Sequence, residues 1–480
     1  MFLATEIIII LIVGWRVITK RMPVSETLAW LLAIILVPLI GAALFLIVAE
    51  TPIGRKRAKR AHILKDQFKI WHHDIPTVDY QDLDRLEAGI CGMSKLISHS
   101  DDYPLFVSNH PDLLSTEEAT LDSVARDIDL AKKSVHICMY IWEPGGKVDK
   151  IQNALIKAQQ RGVDCRVLVD HIGSRSFLNS NSCHRLKSAG VNIVPALKAG
   201  VLRAFFRRLD LRNHRKIISI DQCIAYTGSM NMVDSRHYAP WSKLGGWIDA
   251  VIRVENDSAR ALEFVFAWDW FLETGEYVHP PVKSNPQLLN NRLPSIDFEK
   301  KSAIQILPTG RNLTRNHIHN IFLNLIFRAN KQITITTPYL VPTDGLLSAL
   351  CSAAKRGVDV RVIVPKVSDT YVVSLASKTS YPTLLKAGVK IFLYEKGLLH
   401  AKTLSFDEKV SMVGSLNLDT RSFYINFEIC PIIYSPAFTK KLIELQRQYE
   451  RDSLCLEQNF ERQRYEKFLG PIARLLSPIL

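Results

Sequence analysis

Two stretches of the chain repeat one pattern of histidine, lysine and aspartate, and a loop of small residues follows each at the same distance. The first copy is His214, Lys216 and Asp221 with the loop Gly228-Ser229-Met230-Asn231, and the second is His400, Lys402 and Asp407 with the loop Gly414-Ser415-Leu416-Asn417. Three fixed positions match by chance about once in several thousand windows. Two copies, each followed by the same kind of Gly-Ser-x-Asn loop, therefore indicate a duplication. The pattern predicts one bifunctional site built from two related halves.

The side chains of this pattern suit a phosphate diester. Residues two apart in an extended strand point to the same side, so each histidine is expected beside its lysine. The two lysines can hold the non-bridging oxygens of a phosphate, together with the amides of Asn231 and Asn417. The hydroxyls of Ser229 and Ser415 and the backbone N–H groups of the loops can add donors. These groups form the predicted phosphate-binding set.

Two histidines can divide the work of a displacement at phosphorus. One attacks and forms a covalent phosphohistidine, while the other protonates the leaving alcohol and then deprotonates the incoming one. A nucleophilic histidine needs its second ring nitrogen fixed, normally by a carboxylate, and Asp249 and Glu428 are predicted for that task. Asp221 and Asp407 belong to the catalytic pattern by position and are expected to brace the turns after the strands. No metal or other cofactor is expected, because the sequence offers no carboxylate cluster suited to one.

Length and charge narrow the class of protein. At 480 residues the chain is long enough for two or three domains. Its formal net charge of +14 favours an anionic partner, either nucleic acid or a phospholipid surface. The eight cysteines are dispersed without a Cys-x-x-Cys pair, which argues against a zinc site or a disulfide framework and favours a reducing compartment.

The N-terminal residues favour lipid over nucleic acid. Residues 2–20 are largely apolar, and Leu28–Ala49 is uncharged and long enough, at about 1.5 Å per residue, to cross a hydrocarbon layer of about 30 Å. We therefore expect a membrane anchor over 1–54, with two transmembrane helices at about 2–20 and 27–49. The basic cluster that follows predicts that the rest of the chain lies on the cytoplasmic side.

An insertion in the first half has the pattern of a basic amphipathic helix. Leu202, Phe205, Phe206 and Leu209 recur at helical spacing and are interleaved with arginines. Such a helix can lie on anionic lipid. It can equally pack on its own domain, and the sequence leaves both interpretations open.

The body of the chain repeats a rhythm of strand, helix and strand. Val135–Trp142 and Gln332–Tyr339 have the composition of buried strands, and a helical pattern follows each. Arg161–Val169 then matches Arg356–Val364, with a glycine that ends the helix before a β-branched strand. These passages predict two α/β domains after a basic linker. The predicted ranges are 55–105 for the linker, 106–290 for the first domain and 291–480 for the second.

The motifs together resemble those of the phospholipase D superfamily, and within it the bacterial enzymes that form cardiolipin. The resemblance covers nearly the whole chain and is carried by Asn213-His-Arg-Lys216, Tyr226–Asp234, Thr337-Pro-Tyr339, Leu399-His-Ala-Lys402, Gly414–Ser422 and Asn426-Phe-Glu428. It implies an α/β fold in which an N-terminal transmembrane helical hairpin precedes two phospholipase D-like domains. These form a pseudo-twofold dimer within one chain, with the active site at their interface. It also implies a location in the bacterial inner membrane.

The resemblance further implies a reaction. A phosphatidyl group passes reversibly from one phosphatidylglycerol molecule to another, so that cardiolipin and glycerol are the products. In the superfamily the histidine of the first half is usually the nucleophile, which gives His214 that role and His400 the role of acid and base. The expected partners are phosphatidylglycerol and cardiolipin in an anionic lipid surface, and not nucleic acid.

Two other activities of the same kind of site stay open. A hydrolytic phospholipase D would use water in place of the alcohol acceptor, and the exclusion of water from the site decides between the two reactions. A nuclease of the same fold would also account for the positive charge, although a membrane anchor disfavours it.

Overall fold

The protein is described by a computed structural model that covers residues 2–20, 22, 24–46, 56–64, 80–86, 90–101, 103–198, 210–237, 246–279, 296–310 and 317–476. The chain forms two compact units. One comprises 1–61 with 199–211, and the other comprises 62–198 with 212–480. The second unit carries both copies of the histidine–lysine pattern. The amphipathic helix predicted at 202–209 lies outside the described residues.

Three helices stand at the start of the first unit, namely α1 (Phe2–Thr19), α2 (Val24–Leu36) and α3 (Pro38–Leu44). Their apolar side chains form a small cluster that includes Val17, Ile34 and Phe45. Trp30 lies edge-on to Phe45, with the two ring centroids 5.5 Å apart. Residues 56–64 are also helical.

The predicted transmembrane hairpin is wrong. Among the described residues, no helix is both long and apolar enough to span a bilayer. The second apolar run is broken at Val37, which leaves the helical conformation with φ −138° because it precedes a proline, and Pro38 starts a new helix. The resulting helices have 13 and 7 residues, short of the roughly 20 that a span needs. Helix α1 has 18 residues and includes Glu6 and Arg16. The predicted placement of the rest of the chain on the cytoplasmic side stays a prediction.

The strands are numbered in chain order. They are β1 (Phe106–Asn109), β2 (Asp112–Leu114), β3 (Ser134–Met139), β4 (Asp164–Asp170), β5 (Asn192–Ala196), β6 (Ile217–Ile220), β7 (Ile224–Gly228), β8 (Trp247–Ile248), β9 (Val251–Glu255), β10 (Lys301–Pro308), β11 (Gln332–Thr336), β12 (Leu340–Val341), β13 (Asp359–Pro365), β14 (Lys390–Tyr394), β15 (Leu398–Leu399), β16 (Thr403–Phe406), β17 (Val410–Val413), β18 (Leu418–Asp419), β19 (Ile429–Tyr434) and β20 (Ser453–Cys455).

The helices of the second unit follow a short 3₁₀ segment at Tyr80–Arg85. They are α4 (Ile90–Asp101), α5 (Glu117–Leu130), α6 (Val148–Gln160), α7 (Arg175–Leu178), α8 (Asn181–Ser188), α9 (Asn256–Thr274), α10 (His317–Arg328), α11 (Asp344–Lys355), α12 (Tyr371–Ser377), α13 (Tyr381–Lys386), α14 (Thr420–Tyr424), α15 (Pro436–Arg451) and α16 (Arg464–Leu475).

The two large sheets repeat one strand order. The first is β2-β9-β7-β6-β3-β4-β5, and the second is β1-β10-β19-β17-β16-β11-β13-β14-β20. Six consecutive strands correspond, from β9 to β5 in one sheet and from β19 to β14 in the other. In each half three parallel strands adjoin an antiparallel hairpin, β6–β7 or β16–β17. The predicted mixed α/β architecture with two related halves is confirmed.

One strand crosses the predicted boundary between the domains. β1 pairs antiparallel with β10, with Phe106 opposite Ile304, so the start of the predicted first domain adds an edge strand to the second sheet. The long buried helix α9 contacts strands of both sheets, among them β7 and β10. The ranges 106–290 and 291–480 stay predictions.

Two glycines end matching helices in the two halves. Gly162 follows α6 and Gly357 follows α11, with φ of 85° and 91°. Glycine takes this left-handed conformation without a steric penalty, and it releases the chain from the helix. The next strands, β4 and β13, start two residues later, as the matching sequences predict.

Short parallel backbone pairs join the halves beside the two motifs. β15 pairs with β8, with Leu399 opposite Ile248. Asn213 forms an isolated bridge with Phe427. The residue before each motif histidine therefore lies beside the residue before a carboxylate of the other half.

Candidate active site

Each motif histidine contacts a carboxylate of the opposite half. His214 Nδ1 is 2.8 Å from Glu428 Oε2, and His400 Nδ1 is 2.7 Å from Asp249 Oδ1. All four side chains are buried. Because a carboxylate fixes one ring nitrogen of each histidine, Nε2 is the nitrogen that can react with a substrate. The structure thus brings the two carboxylates named from the sequence to the two histidines, in crosswise pairs.

Backbone hydrogen bonds between the halves produce the crosswise arrangement. The N–H of His214 donates to Phe427 O, and the N–H of His400 donates to Ile248 O, both at 2.8 Å. Each accepting residue directly precedes a carboxylate, so the carboxylate is delivered to the histidine of the other half. The sequence gives no signal of this crossing, because each carboxylate also follows the histidine of its own half.

The serines of the two loops hold these carboxylates. Ser229 Oγ donates to Asp249 Oδ1 at 2.6 Å, and Ser415 Oγ donates to Glu428 Oε2 at 2.5 Å. Each hydroxyl also accepts the N–H of the residue that follows the carboxylate. The two hydroxyls therefore orient the carboxylates, and phosphate binding by the serines stays a prediction.

The two motif lysines lie within the same buried site. Lys216 Nζ donates to His214 O at 2.9 Å, and Lys402 Nζ donates to His400 O at 2.6 Å. Burial lowers the pKa of Lys216 to about 8 and that of Lys402 to about 7. A phosphate anion bound between them would favour their charged forms.

The loop asparagines bring amide groups to the site. Asn231 Oδ1 accepts the N–H of Ile141 at 3.3 Å, which leaves its NH₂ group able to donate to a ligand. Asn417 is buried, and its Oδ1 has no hydrogen-bond partner within the described part of the chain. A buried acceptor without a partner is costly, so Asn417 Oδ1 is suited to a hydroxyl of a ligand, while only the NH₂ group of this amide can donate to a phosphate.

Aromatic rings pack against both histidines. The Tyr140 ring lies edge-on to His214 and the Trp247 ring lies tilted against His400, each with its centroid 4.7 Å from that of the imidazole. Neither ring was identified from the sequence as part of the site. Their signal is weak, since aromatic residues at the ends of strands are more often ordinary core residues. Here they restrict the orientation of the imidazoles.

The two histidines have unlike electrostatic surroundings. Desolvation, together with the charges of the lysines, lowers the pKa of His214 well below its usual value. Desolvation and Lys402 also lower the pKa of His400, but the Asp249 carboxylate opposes this change. Burial raises the pKa of Glu428 to about 7. Burial acts in the same direction on Asp249, yet the charges of His400 and Lys402 outweigh it and lower the pKa of that carboxyl.

The motif aspartates lie in hairpin turns rather than beside the histidines. The Asp221 carboxylate accepts the backbone N–H groups of residues 132–134, and Asp407 accepts those of 330–332, all between 2.7 and 2.9 Å. Both aspartates have left-handed backbones, with φ of 54° and 48°, which aspartate tolerates better than most residues. These contacts brace each hairpin against the start of the neighbouring strand in the sheet, β3 or β11.

A buried arginine inside the first motif was missed by sequence reasoning. Arg215 Nη1 is 2.7 Å from Asp269 Oδ1, and both side chains are 1% exposed. Its other nitrogens donate to Glu428 O at 3.0 Å and to Thr309 O at 2.7 Å. Arg215 thus ties the first motif to the backbone that carries the carboxylate of the first histidine. The second motif has Ala401 at this position, and no spacing in the sequence indicates the partners of Arg215.

Comparisons of the sequence with known proteins agree on one family. The family described as "Cardiolipin synthase, PLD-like domain" matches residues 124–241 and 322–450. Cardiolipin synthase A of Yersinia pseudotuberculosis serotype O:1b (strain IP 31758) is 38% identical over 442 residues, which cover 92% of this chain and 90% of that protein. The protein of the same name from Yersinia pestis matches with the same identity and coverage.

A solved structure shares the fold at low sequence identity. Phosphatidylserine synthase of Haemophilus influenzae Rd KW20 superposes with a TM-score of 0.62 over 81% of this chain and 100% of that chain, at 15% identity. This likeness concerns the fold alone, whereas the family match includes both copies of the histidine–lysine pattern. The chain therefore belongs to the cardiolipin synthase family of phospholipase D-like proteins.

Proposed function

We propose that this protein is a phosphatidyltransferase that forms cardiolipin and glycerol from two molecules of phosphatidylglycerol. The observation that carries the proposal is the pair of crosswise histidine–carboxylate contacts within one buried site that also holds two lysines. Such a site offers one phosphodiester both an attacking imidazole and an imidazole that transfers protons. The name of the relatives, cardiolipin synthase A, supports the same reaction.

The reaction proceeds in two displacements at phosphorus. Nε2 of His214 attacks the phosphorus of the first lipid, the bond to its head-group glycerol breaks, and His400 gives a proton to the leaving oxygen. A hydroxyl of the second lipid's head group then returns a proton to His400 and attacks the phosphohistidine. The phosphorus–nitrogen bond breaks, cardiolipin forms, and both histidines regain their starting states.

The electrostatic difference between the histidines supports this division of roles. A nucleophile must be neutral, and the pKa of His214 is far below its usual value because of burial and the nearby cations. An acid must be able to carry a proton, and Asp249 favours the charged form of His400. The phosphate of a bound lipid would favour it further.

The lysines and asparagines bind the phosphate in this scheme. Lys216 and Lys402 hold the non-bridging oxygens, and the amides of Asn231 and Asn417 add hydrogen bonds. These donors stabilise the charge that develops on the phosphoryl oxygens in each displacement. The carboxylates orient the imidazoles, and the serines hold the carboxylates.

The substrates define the surroundings of the enzyme. Phosphatidylglycerol and cardiolipin are membrane lipids with anionic head groups, and the net charge of +14 favours an anionic lipid surface. The proposed location is therefore the bacterial inner membrane, with these lipids as the partners of the protein.

Product analysis tests the proposed function. The purified protein is incubated with phosphatidylglycerol in mixed micelles, and the lipid and water-soluble products are identified. We expect cardiolipin and glycerol in equal amounts, and neither product from the His214→Ala or His400→Ala protein. Phosphatidic acid and glycerol without cardiolipin would contradict the proposal and identify a hydrolase.

A further inference from the structure

Helix α16 leaves a stripe of large apolar side chains exposed. The stripe consists of Tyr465, Phe468, Leu469, Ile472, Leu475 and Leu476. These positions recur at the i, i+3, i+4 and i+7 spacing that places residues on one side of a helix, over about a third of its circumference. Phe468 is 72% exposed and Leu475 is 81% exposed. We call this set the α16 stripe.

The opposite side of α16 is firmly packed. Glu466, Gly470 and Ala473 are buried, and Ala473 joins an apolar cluster with Leu375 and Ala376 of α12. Lys378 Nζ donates to Glu466 Oε1 at 2.6 Å. A Cβ on Gly470 would lie 2.9 Å from Thr379 Cγ2, so glycine permits this close approach. The packing holds the α16 stripe outward in a fixed orientation.

The base of helix α16 packs on residues that contact the surroundings of the candidate active site. The cluster around Ala473 extends to Tyr339, whose hydroxyl donates to Asp369 Oδ1 at 2.8 Å. Asp369 is near enough to Lys402 for its charge to act on the lysine. Helix α16 is thus connected through Tyr339 and Asp369 to the surroundings of Lys402.

Basic residues border the α16 stripe. Arg464, Lys467 and Arg474 are exposed on the same helix. Lys467 pairs with Glu461 and Arg474 pairs with Asp344 at the surface, where ion pairs are weak and exchange readily. An apolar stripe bordered by basic residues is typical of helices that lie in the interface of an anionic membrane.

We propose that the α16 stripe docks the protein on an anionic phospholipid surface and thereby brings the candidate active site to its lipid substrates. This inference rests on the proposed function, since a soluble substrate would not require such a surface. A second copy of the chain is a poorer occupant, because a twofold contact through the stripe would bring its basic border against the same border.

Spin labelling of the full chain tests where the stripe lies. The exposed cysteines are removed by Cys223→Ser and Cys455→Ser, and a nitroxide is attached through Ile472→Cys. The matched control carries the label through Leu130→Cys, at the exposed end of α5. Collision rates with oxygen, which enters membranes, and with an aqueous nickel chelate are measured with and without vesicles of phosphatidylglycerol and phosphatidylcholine.

We expect the label at position 472 to gain collisions with oxygen and lose collisions with nickel on these vesicles, while the label at 130 stays accessible to nickel. Vesicles of phosphatidylcholine alone should give a smaller effect. Equal accessibility to nickel at both positions would overturn the proposal. A label at 472 that is already shielded in the absence of vesicles, and increasingly so at higher protein concentration, would identify contact between two copies and would also overturn it.

Activity in two lipid environments separates docking from chemistry. For Phe468→Glu with Leu475→Glu, we expect turnover on phosphatidylglycerol vesicles to fall at least about tenfold, because two large apolar contacts with the membrane are lost. Turnover in mixed micelles should stay unchanged, and Leu130→Glu should leave both rates unchanged. Equal turnover of the double variant and the parent protein on vesicles would overturn the docking proposal. If the parent protein made no cardiolipin even in micelles, the proposed function itself would fail.

Discussion

At the scale of single residues, the candidate site concentrates positive charge where a phosphodiester would bind. Two lysines and two histidines share one buried site with two carboxylates, and each carboxylate is already engaged by a histidine and a serine. Burial without an anion disfavours the charged lysines and lowers their pKa values. The site is thus arranged to bind an anion and to become more highly charged when it does.

The lysines give the reaction a defined pH dependence. The pKa of Lys402 is about 7 and that of Lys216 is about 8, so each loses its charge as the pH rises through its value. Because only the charged lysine attracts phosphate, we expect kcat/KM to fall as the pH rises through this range. Bound phosphate stabilises the charged lysines, so kcat should fall only at higher pH.

Pre-steady-state and steady-state rates over this pH range provide the check on the lysines. The guanidinium of Lys402→Arg stays charged over this pH range. In this variant we therefore expect kcat/KM to fall only near pH 8, where Lys216 loses its charge, and not near pH 7. A kcat/KM that stays flat while the pH passes through both values would contradict the assignment of the lysines to the phosphate.

The sequence named residues that the structure brings together, but it did not indicate how they pair. His214, His400 and the two lysines repeat in register, and this repetition distinguishes them from solvated side chains. The contact of His214 with Glu428 depends on a backbone pairing between distant segments. No local pattern encodes that pairing, because it is a property of how the two halves pack.

At the scale of elements, one asymmetric contact fixes the first motif to the second half. Arg215 pairs with Asp269 of α9 and donates to the backbone carbonyls of Glu428 and Thr309. A buried ion pair contributes little net stability, but removal of one partner leaves a buried charge uncompensated. Arg215 is therefore a positioning residue that acts through Glu428.

Replacement of Arg215 tests this contact. For Arg215→Met we expect a loss of about 3–5 kcal/mol in the free energy of unfolding, because Asp269 is left buried and unpaired. Asp269→Leu added to this change should restore part of the stability. It should not restore turnover, since the carbonyls of Glu428 and Thr309 still lack their donor.

Urea unfolding and turnover in micelles are the measurements for these variants. Arg236→Met is a matched control at an exposed arginine, and it should change the free energy of unfolding by no more than about 0.5 kcal/mol. Wild-type stability and turnover in the Arg215→Met protein would contradict a positioning role.

The elements themselves divide into those that a sequence can predict and those that it cannot. The helices α6 and α11, their glycine ends and the strands β4 and β13 follow from apolar spacing and β-branched runs. The two-residue strands β8 and β15 carry no such pattern, because their pairing is decided by the other half of the molecule. These short strands nevertheless deliver Asp249 to His400.

At the scale of the whole molecule, the duplication is confirmed and the transmembrane hairpin is not. The apolar run Leu28–Ala49 predicts a single helix by composition, but Pro38 divides it, and within the described residues neither helix is long enough to cross a bilayer. Hydropathy counts apolar residues and is insensitive to a break of this kind. The two α/β halves were therefore predicted correctly, because each repeat supported the other. The transmembrane hairpin was predicted wrongly, because it was inferred from the hydropathy of one segment without a second copy for comparison.

Removal of the N-terminal helices tests whether they contribute to the chemistry. All the described residues of the candidate site lie in the unit formed by 62–198 and 212–480. We therefore expect a protein that lacks residues 1–50 to keep its turnover in mixed micelles. A truncated protein that unfolds at the same temperature as the full chain but makes no cardiolipin would contradict this expectation.

The central claim is that one histidine carries the phosphatidyl group between two lipids while the other transfers protons, and trapping of the intermediate tests it most directly. The His400→Ala protein is mixed with phosphatidylglycerol labelled in its phosphate, denatured at neutral pH to preserve phosphohistidine, and digested for mass spectrometry. We expect the phosphatidyl group on the peptide that contains His214, and no label on either histidine of the His214→Ala protein. Label on His400 in the His214→Ala protein, with none on His214 in the His400→Ala protein, would contradict the account.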